Sequence, residues 1–387
     1  MTGIQFNYKD VFRALRMGFS AKKIGMAMVG LLIGLAGYSL LTYIAHIVAG
    51  NDWLSIWETY RLLPFPAETL PFPWYSWVIY AIGVIWALCV MLLTGTAIAK
   101  VTCEQLKGNE FFEAGEAFRF SLKNAGAVLG SPLLIIAFIA LVVIAGLILS
   151  AMGSIPKFGP IFVGLMGIIA FLASLFITYL LIVLVFTIFL APSVVGAMGN
   201  DTFDTLFEVF SCVNEQPARL VWYTFVIGFL AKVGSFLLGL GSSLAGRIGS
   251  LVLLTFMRDS WKELLNGASF IFKVAIPNWG VFKILHYTLL HEANLYGLPQ
   301  IYLPEVWENS AIDLNIGAML LGLCGYAIAL MVIAYGCAIW FSGNVLSIAV
   351  LIKKKDDKNI FEVPEEESLV AQKKVDSTST TPQEPTP

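Results

Sequence analysis

Apolar residues in this chain fall into long blocks separated by short polar segments. Four blocks are clear, at about 25–49, 76–99, 126–151 and 315–342, and each supplies the ~20 residues that a helix needs to cross a bilayer core. Two longer blocks, 160–195 and 218–257, exceed one crossing but are short for two. We expect each to be one span with an extension, broken near Pro192 and near GLGSSLAG (239–246). The pattern predicts an all-α integral membrane protein with six transmembrane helices.

Two of the polar segments resemble each other. Residues 108–119 read GNEFFEAGEAFR and residues 199–210 read GNDTFDTLFEVF, and a related segment, NYKDVFRALRMGF (7–19), precedes the first block. All three mix charged and apolar residues at helical spacing, which is typical of amphipathic helices lying in a headgroup layer. Asn109 and Asn200 are candidates to cap the starts of two of these helices.

The repeated segments predict three units, each an interfacial helix followed by a transmembrane hairpin. The units cover 1–106, 107–198 and 199–352, the last with a long outer loop at 258–314. The tail at 353–387 is rich in charge, Pro, Ser and Thr after about residue 361, and we expect it to be disordered. The alternative is that charged amphipathic connectors are common in multi-pass proteins and that the likeness is a coincidence.

Lysine and arginine concentrate on one side of the predicted spans. They cluster in the N-terminal segment, around 100–123 and at 353–358, whereas the opposite loops hold few. The positive-inside rule therefore predicts that both termini are cytoplasmic. We expect the first apolar block to be a transmembrane helix and not a cleaved signal peptide. The sequence therefore predicts a multi-pass protein of a bacterial inner membrane.

Composition narrows the classes of function. The chain is 58% hydrophobic and 13% charged, and its net charge of −2 argues against a nucleic-acid partner. The five cysteines are scattered, and His286 and His291 are five residues apart, whereas helical metal ligands are three or four apart. The sequence predicts no catalytic residue, no metal site, no cofactor and no enzyme.

Three side chains are candidate contacts for an anionic group or a lipid. Lys232 is the one charge deep within a predicted span, where it should face protein or water, and Arg247 and His46 lie nearer the outer ends of their spans. The competing interpretations are that Lys232 reaches toward the interface along its flexible stem, that Arg247 is an anchor, and that His46 is structural.

The outer loops are rich in tryptophan. Trp53, Trp57 and Trp74 lie in the first loop among several prolines, and Trp279 and Trp307 lie in the last. Two interpretations remain open: a loop that docks a lipid or partner protein, or the aromatic belt that membrane proteins place at interfaces.

The stretch Phe118–Leu122 and the junction LAPSVVGAMGNDTF (190–203) carry a family resemblance. The chain resembles bacterial multi-pass proteins similar to the membrane domain of glycerophosphodiester phosphodiesterases, which alternate amphipathic helices with hairpins. The cytosolic domain that carries that family's chemistry has no counterpart in these residues. The resemblance therefore implies a membrane module without hydrolase activity.

The predicted spans contain no carboxylate, although coupled transporters commonly keep acids at membrane depth. We therefore expect a non-catalytic scaffold or accessory subunit that contacts membrane lipids and other membrane proteins. The alternative is a transporter or permease for a lipid-like or anionic solute, with Lys232 lining the path.

Overall fold

The computed structural model describes residues 6–60, 62–66, 71–271, 316–357 and 359–361, which form helices without a strand. The helices within these ranges are α1 Tyr8–Val11, α2 Ala14–Gly18, α3 Ala21–Val48, α4 Trp53–Tyr60, α5 Trp74–Lys107, α6 Ala114–Lys123, α7 Ala125–Gly153, α8 Phe158–Leu165, α9 Gly167–Met198, α10 Thr202–Glu215, α11 Pro217–Met257, α12 Asp259–Ile271 and α13 Ile316–Asp356.

Six of these helices, among the described residues, are long and apolar enough to cross a membrane: α3, α5, α7, α9, α11 and α13. This confirms the predicted all-α class, and the six candidate spans equal the predicted number. α11 and α13 each contain 41 residues, well beyond the ~20 that cross a bilayer core. Each therefore extends past the hydrocarbon layer or tilts within it.

The breaks predicted inside the two longest apolar blocks are wrong. α9 continues through Pro192, and α11 continues through 239–246. Pro192 lacks an amide hydrogen, but Leu190, Ala191 and Ser193 around it are all buried. Packing on every side keeps the helix intact despite the missing hydrogen bond. The interruption lies instead at Met166, between α8 and α9.

The two Gly-Asn pairs end helices rather than begin them. Gly108 and Gly199 have φ of 98° and 71°, the left-handed conformation that suits the residue after a helix, and they terminate α5 and α9. Capping by Asn109 and Asn200 is therefore a wrong prediction. The N-cap of α10 is Asp201, whose side chain accepts from the Asp204 amide at 2.8 Å.

Segments assigned to loops or tail contain helical residues. α4 lies in the first predicted outer loop and α12 in the last. Buried Trp261 of α12 donates from Nε1 to Ser250 Oγ on α11 at 2.8 Å. Residues 353–356, assigned to the tail, form the last turn of α13. The tail from residue 362 lies outside the described residues, as does most of the predicted loop 258–314.

The long helices pack in consecutive pairs, α3 with α5, α7 with α9 and α11 with α13. We call the end at which α5, α9 and α13 terminate the basal end, and the opposite end distal. Burial is concentrated at the basal end. In the most apolar windows only 6% of α7 and 11% of α9 residues are buried, against 28% in α3, α5 and α11. The distal parts of α7 and α9 therefore present apolar side chains outward.

Candidate functional site

The C-terminal halves of α5, α9 and α13 contact one another at the basal end. We call this the basal core. It contains many small or short side chains that are fully buried, among them Thr96, Ala99, Ser193, Ser342 and Asn344. Small side chains let helix backbones approach closely, and their hydroxyl and amide groups can bond across the gap.

Hydrogen bonds join every pair of helices in the basal core. Thr102 Oγ1 lies 3.0 Å from Ser342 Oγ, between α5 and α13. Asn344 donates from Nδ2 to Phe189 O at 3.4 Å, between α13 and α9. Cys103 Sγ donates to Ala197 O at 3.6 Å, between α5 and α9. A path through the centre would require these helices to separate.

Glycine sets the spacing between two of these helices. A Cβ added at Gly196 of α9 would lie 2.6 Å from Ala99 Cβ and 2.9 Å from Thr96 O of α5. The backbones of α5 and α9 are thus close enough that a single methyl group would overlap its neighbours. Around Gly196, α5 and α9 of the basal core therefore pack without space for an added methyl group.

The short helices α2, α6 and α10, which the sequence predicts to be amphipathic, each pack on one helix of the basal core. α6 packs on α5, with Ser121 Oγ donating to Leu93 O at 2.6 Å. α10 packs on α9, with Tyr179 OH donating to Asn214 Oδ1 at 2.8 Å. α2 packs on α13, with Tyr335 OH donating to Leu15 O at 3.4 Å. The first segment of the chain therefore lies on its last long helix.

An ion pair holds α10 to the end of α13. Lys355 Nζ lies 2.8 Å from Glu208 Oε1, and both side chains are largely buried. Cys212, one turn along α10, donates from Sγ to the same carboxylate at 3.9 Å. Burial first, and the Glu208 charge second, raise the pKa of the Cys212 thiol from 9.0 to about 12. This thiol is protonated at neutral pH, and it is an unreactive structural cysteine.

Two lysines at the start of α3 are contacts that the sequence did not reveal. Lys23 is fully buried and donates from Nζ to Met17 O at 3.0 Å. Lys22 donates to Phe112 O at 2.9 Å and so ties α3 to the segment that follows α5. From the sequence, both are expected to be cations that flank the first span. The hydrophobic pattern does not show which distant segments pack against them.

The candidate anion contacts lie on separate elements. Lys232 is half-buried on α11, on a turn whose Ala231 and Ser235 pack against Gly336 of α13. Arg247 lies farther along α11 and is exposed. His46 is fully buried near the end of α3. The structure does not bring the three together into one site.

Both ring nitrogens of His46 face hydrogen-bonding groups. Nε2 lies 2.9 Å from Phe65 O, and Nδ1 lies 3.3 Å from Asn51 Nδ2, which also donates to Pro71 O at 3.2 Å. An amide donor at Nδ1 and a carbonyl acceptor at Nε2 fit a neutral imidazole that carries its proton on Nε2. His46 and Asn51 thus hold the first predicted outer loop at two points, Phe65 and Pro71, an arrangement we call the loop clamp.

Tryptophans of the first predicted outer loop occupy different environments. Trp53 and Trp57 of α4 stack on each other with ring centroids 6.3 Å apart, and Trp53 also packs on Tyr43 at 4.6 Å. Trp74, at the start of α5, is 77% exposed. Trp279 and Trp307 lie outside the described residues.

Among the described residues, no group of three or more His, Cys, Asp or Glu side chains could hold a metal ion. His286 and His291 lie outside those residues. Comparison of the chain with protein-family models, with curated proteins and with solved structures gives no match. The resemblance to the membrane domain of glycerophosphodiester phosphodiesterases stays a prediction.

Proposed function

We propose that the protein is a non-catalytic scaffold or accessory subunit of a membrane complex, and that it contacts lipids and other membrane proteins. The observation that carries this proposal is the uneven burial along the spans. The basal core is closed by direct contacts between α5, α9 and α13, while the distal parts of α7 and α9 expose large apolar side chains such as Ile144 and Phe171. Such surfaces in a solidly packed protein suit lipid and partner helices.

In the proposed arrangement, α3–α5, α7–α9 and α11–α13 are three transmembrane hairpins of a bacterial inner membrane protein, and both termini are cytoplasmic. The lysines at the end of α13, and the lysines and arginines before and at the start of α3, support this orientation, because cytoplasmic flanks are enriched in Lys and Arg. Under this orientation the basal end is cytoplasmic, and α2, α6 and α10 lie at the cytoplasmic interface.

The proposed three-unit repeat is supported by a recurring contact. α6 packs on α5, α10 packs on α9, and α2 packs on α13, so each short segment lies on the last span of the unit before it, counted cyclically. Equivalent contacts at three positions are expected if three similar units close into a ring.

Site-specific photo-crosslinking in cells tests the scaffold role. A photoreactive residue replacing Ile144 or Phe171, both exposed on the α7–α9 pair, is expected to capture a discrete membrane protein. The same group replacing Val183, which is fully buried on α9, is the matched control and should give no protein adduct. Lipid adducts alone from both exposed positions, with a monomeric chain in several mild detergents, would contradict the scaffold role.

Accessibility of tags at the two ends tests the orientation. Both should react from the cytoplasmic face, since an even number of spans returns the chain to its starting side. Tags on opposite faces would contradict the arrangement of hairpins, and the assignment of loops to the two sides would change with it.

The half-buried Lys232 favours the alternative function, a transporter or permease for a lipid-like or anionic solute. A cation within a long apolar helix is costly unless it faces protein, water or an anion. Lys232→Met should abolish flux if the side chain lines a path, whereas Arg247→Met, at an exposed position of the same helix, is the control. Unchanged flux in Lys232→Met would eliminate this role for Lys232.

A further inference from the structure

The first two helices, together with Phe19 directly after them, carry a basic and aromatic surface. Lys9 and Arg16 are exposed, and so are Tyr8, Phe12 and Phe19. We call these five residues the N-terminal face. The opposite side of α1 and α2 includes Val11 and Ala14. Both are buried in the apolar cluster that also contains residues of the basal core. The N-terminal face is therefore held outward by a firmly packed underside.

The positive charge of this face is not balanced by its neighbours. Asp10, the one acid on these two helices, is buried and forms an ion pair with Arg13 at 3.3 Å. Within the described part of the chain, neither Lys9 nor Arg16 has an ion-pair partner. The other two interfacial helices differ: α6 mixes Glu116 with Arg119 and Lys123, and α10 contains no base.

The chain leaves the described structure beside this face. The Phe361 ring stacks on the Phe6 ring with centroids 6.3 Å apart, and Phe6 stands two residues before α1. The residues that follow, EVPEEE (362–367), contain four glutamates and no lysine or arginine. We call 362–367 the acidic segment. A dense negative charge thus begins next to an unbalanced positive surface.

The acidic segment is long enough to cover the N-terminal face. Six extended residues span roughly 20 Å, whereas helical geometry separates Lys9 from Arg16 by only about 10 Å. Glu365, Glu366 and Glu367 can therefore reach both cations from the position of Phe361. Pro364 is compatible with an extended path.

We propose that the acidic segment docks on the N-terminal face, pairing its glutamates with Lys9 and Arg16. This contact joins the two ends of the chain outside the basal core and covers a surface that otherwise suits anionic headgroups. It is independent of the scaffold role, because it concerns how the chain covers its own surface and not what the chain binds.

Zero-length carbodiimide cross-linking of the full-length protein in nanodiscs tests the proposal. This reagent joins a lysine amine to a carboxylate only when the two are in contact. Mass spectrometry of the monomer band should find Lys9 joined to Glu365, Glu366 or Glu367, in zwitterionic nanodiscs and in nanodiscs that contain anionic lipid. A link found only in a dimer band, or found in neither kind of nanodisc, would overturn the proposal.

A charge reversal that spares the reacting groups makes the test specific. R16E should lower the yield of the Lys9 link roughly fivefold, because one attraction is replaced by a repulsion at an exposed site. R119E, at an exposed position of α6, is the matched control and should leave the yield unchanged. Equal yields in R16E and the parent protein would overturn the proposal.

A swap of charges separates docking from misfolding. K9E/R16E and E365K/E366K/E367K should each lose the link, and the combination of all five changes should restore it with the chemical roles exchanged. Failure of the combined variant to restore the link, while it remains monomeric and folded, would overturn the proposal. Loss of the parent's link in anionic nanodiscs alone would assign the N-terminal face to headgroups and would equally overturn it.

Discussion

The hydroxyl oxygens of Thr102 and Ser342 lie 3.0 Å apart, at the point where α5 meets α13 in the basal core. Thr102 also donates to Ile98 O one turn earlier, at 2.8 Å, so Ser342 is left as the donor in the pair. Both side chains are fully buried. The Thr102 hydroxyl thus donates to a carbonyl of its own helix, α5, and accepts from Ser342 of α13. A single side chain therefore forms one bond within a helix and one bond between helices.

Thr102→Val should destabilise the protein more than Ser342→Ala. The valine keeps the shape but leaves the Ser342 hydroxyl without its acceptor, which costs about 1–3 kcal/mol for a buried group. The alanine removes the donor and leaves Thr102 bonded to Ile98. Unfolding by titration with a denaturing detergent measures both, and the double variant should show a coupling energy of roughly 0.6 kcal/mol. Strict additivity would contradict a direct bond.

Gly196→Ala should destabilise the contact between α5 and α9. The added methyl group would overlap Ala99 Cβ and the Thr96 carbonyl, and overpacking of this kind costs about 1–3 kcal/mol. Gly146→Ala on α7 is the matched control, because nothing lies within 4 Å of a Cβ there. The melting temperature in detergent should fall for the first variant and not for the second. Equal melting temperatures would show that the two backbones are farther apart.

The Cys212 thiol should contribute to loss of stability at alkaline pH. Its pKa is raised from 9.0 to about 12 in the folded protein, so between these values the unfolded chain releases a proton that the folded chain retains. The contribution is complete below pH 9 and disappears as the pH rises toward 12. Cys212→Ala should therefore flatten the decline of unfolding free energy over that window, by up to about 1.4 kcal/mol per pH unit.

The same environment predicts slow alkylation of Cys212. At pH 8 a maleimide should react with it far more slowly than with the exposed Cys324 in a detergent that admits the reagent to both. Glu208→Gln removes the nearby charge and should accelerate the reaction at Cys212 alone. Rapid labelling of Cys212 in the folded parent protein would contradict its burial.

His46→Ala should release the first predicted outer loop while leaving the basal core intact. The variant loses the contacts with Phe65 O and Asn51 that hold the loop clamp together. Hydrogen exchange should increase in residues 51–66, and exchange in the C-terminal half of α5 should not change. Asn51→Ala should give a weaker form of the same effect, because it spares the bond to Phe65. Uniform exchange across the protein would contradict a local role.

The hydrophobic pattern predicted the long helices well, because lipid requires backbone groups to be satisfied within one helix. It failed where tertiary packing decides. Pro192 reads as a break, but buried neighbours on α9 keep the helix continuous. Gly108 and Gly199 read as part of a helix start, but their positive φ places them just past a helix end. Glycine and asparagine occur at both ends of helices, and the sequence does not show whether such a glycine adopts positive φ.

The candidate site was predicted only as isolated residues. The sequence identifies Lys232, Arg247 and His46 only as polar groups in apolar blocks, and that property says nothing about whether they contact one another. The basal core is built instead from residues such as Thr102, Ser193 and Ser342, whose small size and modest polarity give no distinct signal in a membrane sequence. Their contacts depend on which helices pack together. That packing joins residues far apart in the sequence, and the local pattern does not determine it.

The packing of α2 on α13 has a consequence for biosynthesis. Tyr335 meets Leu15 across 320 positions of chain, and Gly18 fits against Ile339. A ribosome delivers the first helices long before the surface they rest on exists. α1 and α2 therefore lack their packing partner until α13 has been synthesised and inserted. In a chain truncated before α13, these two helices would be exposed to proteolytic quality control.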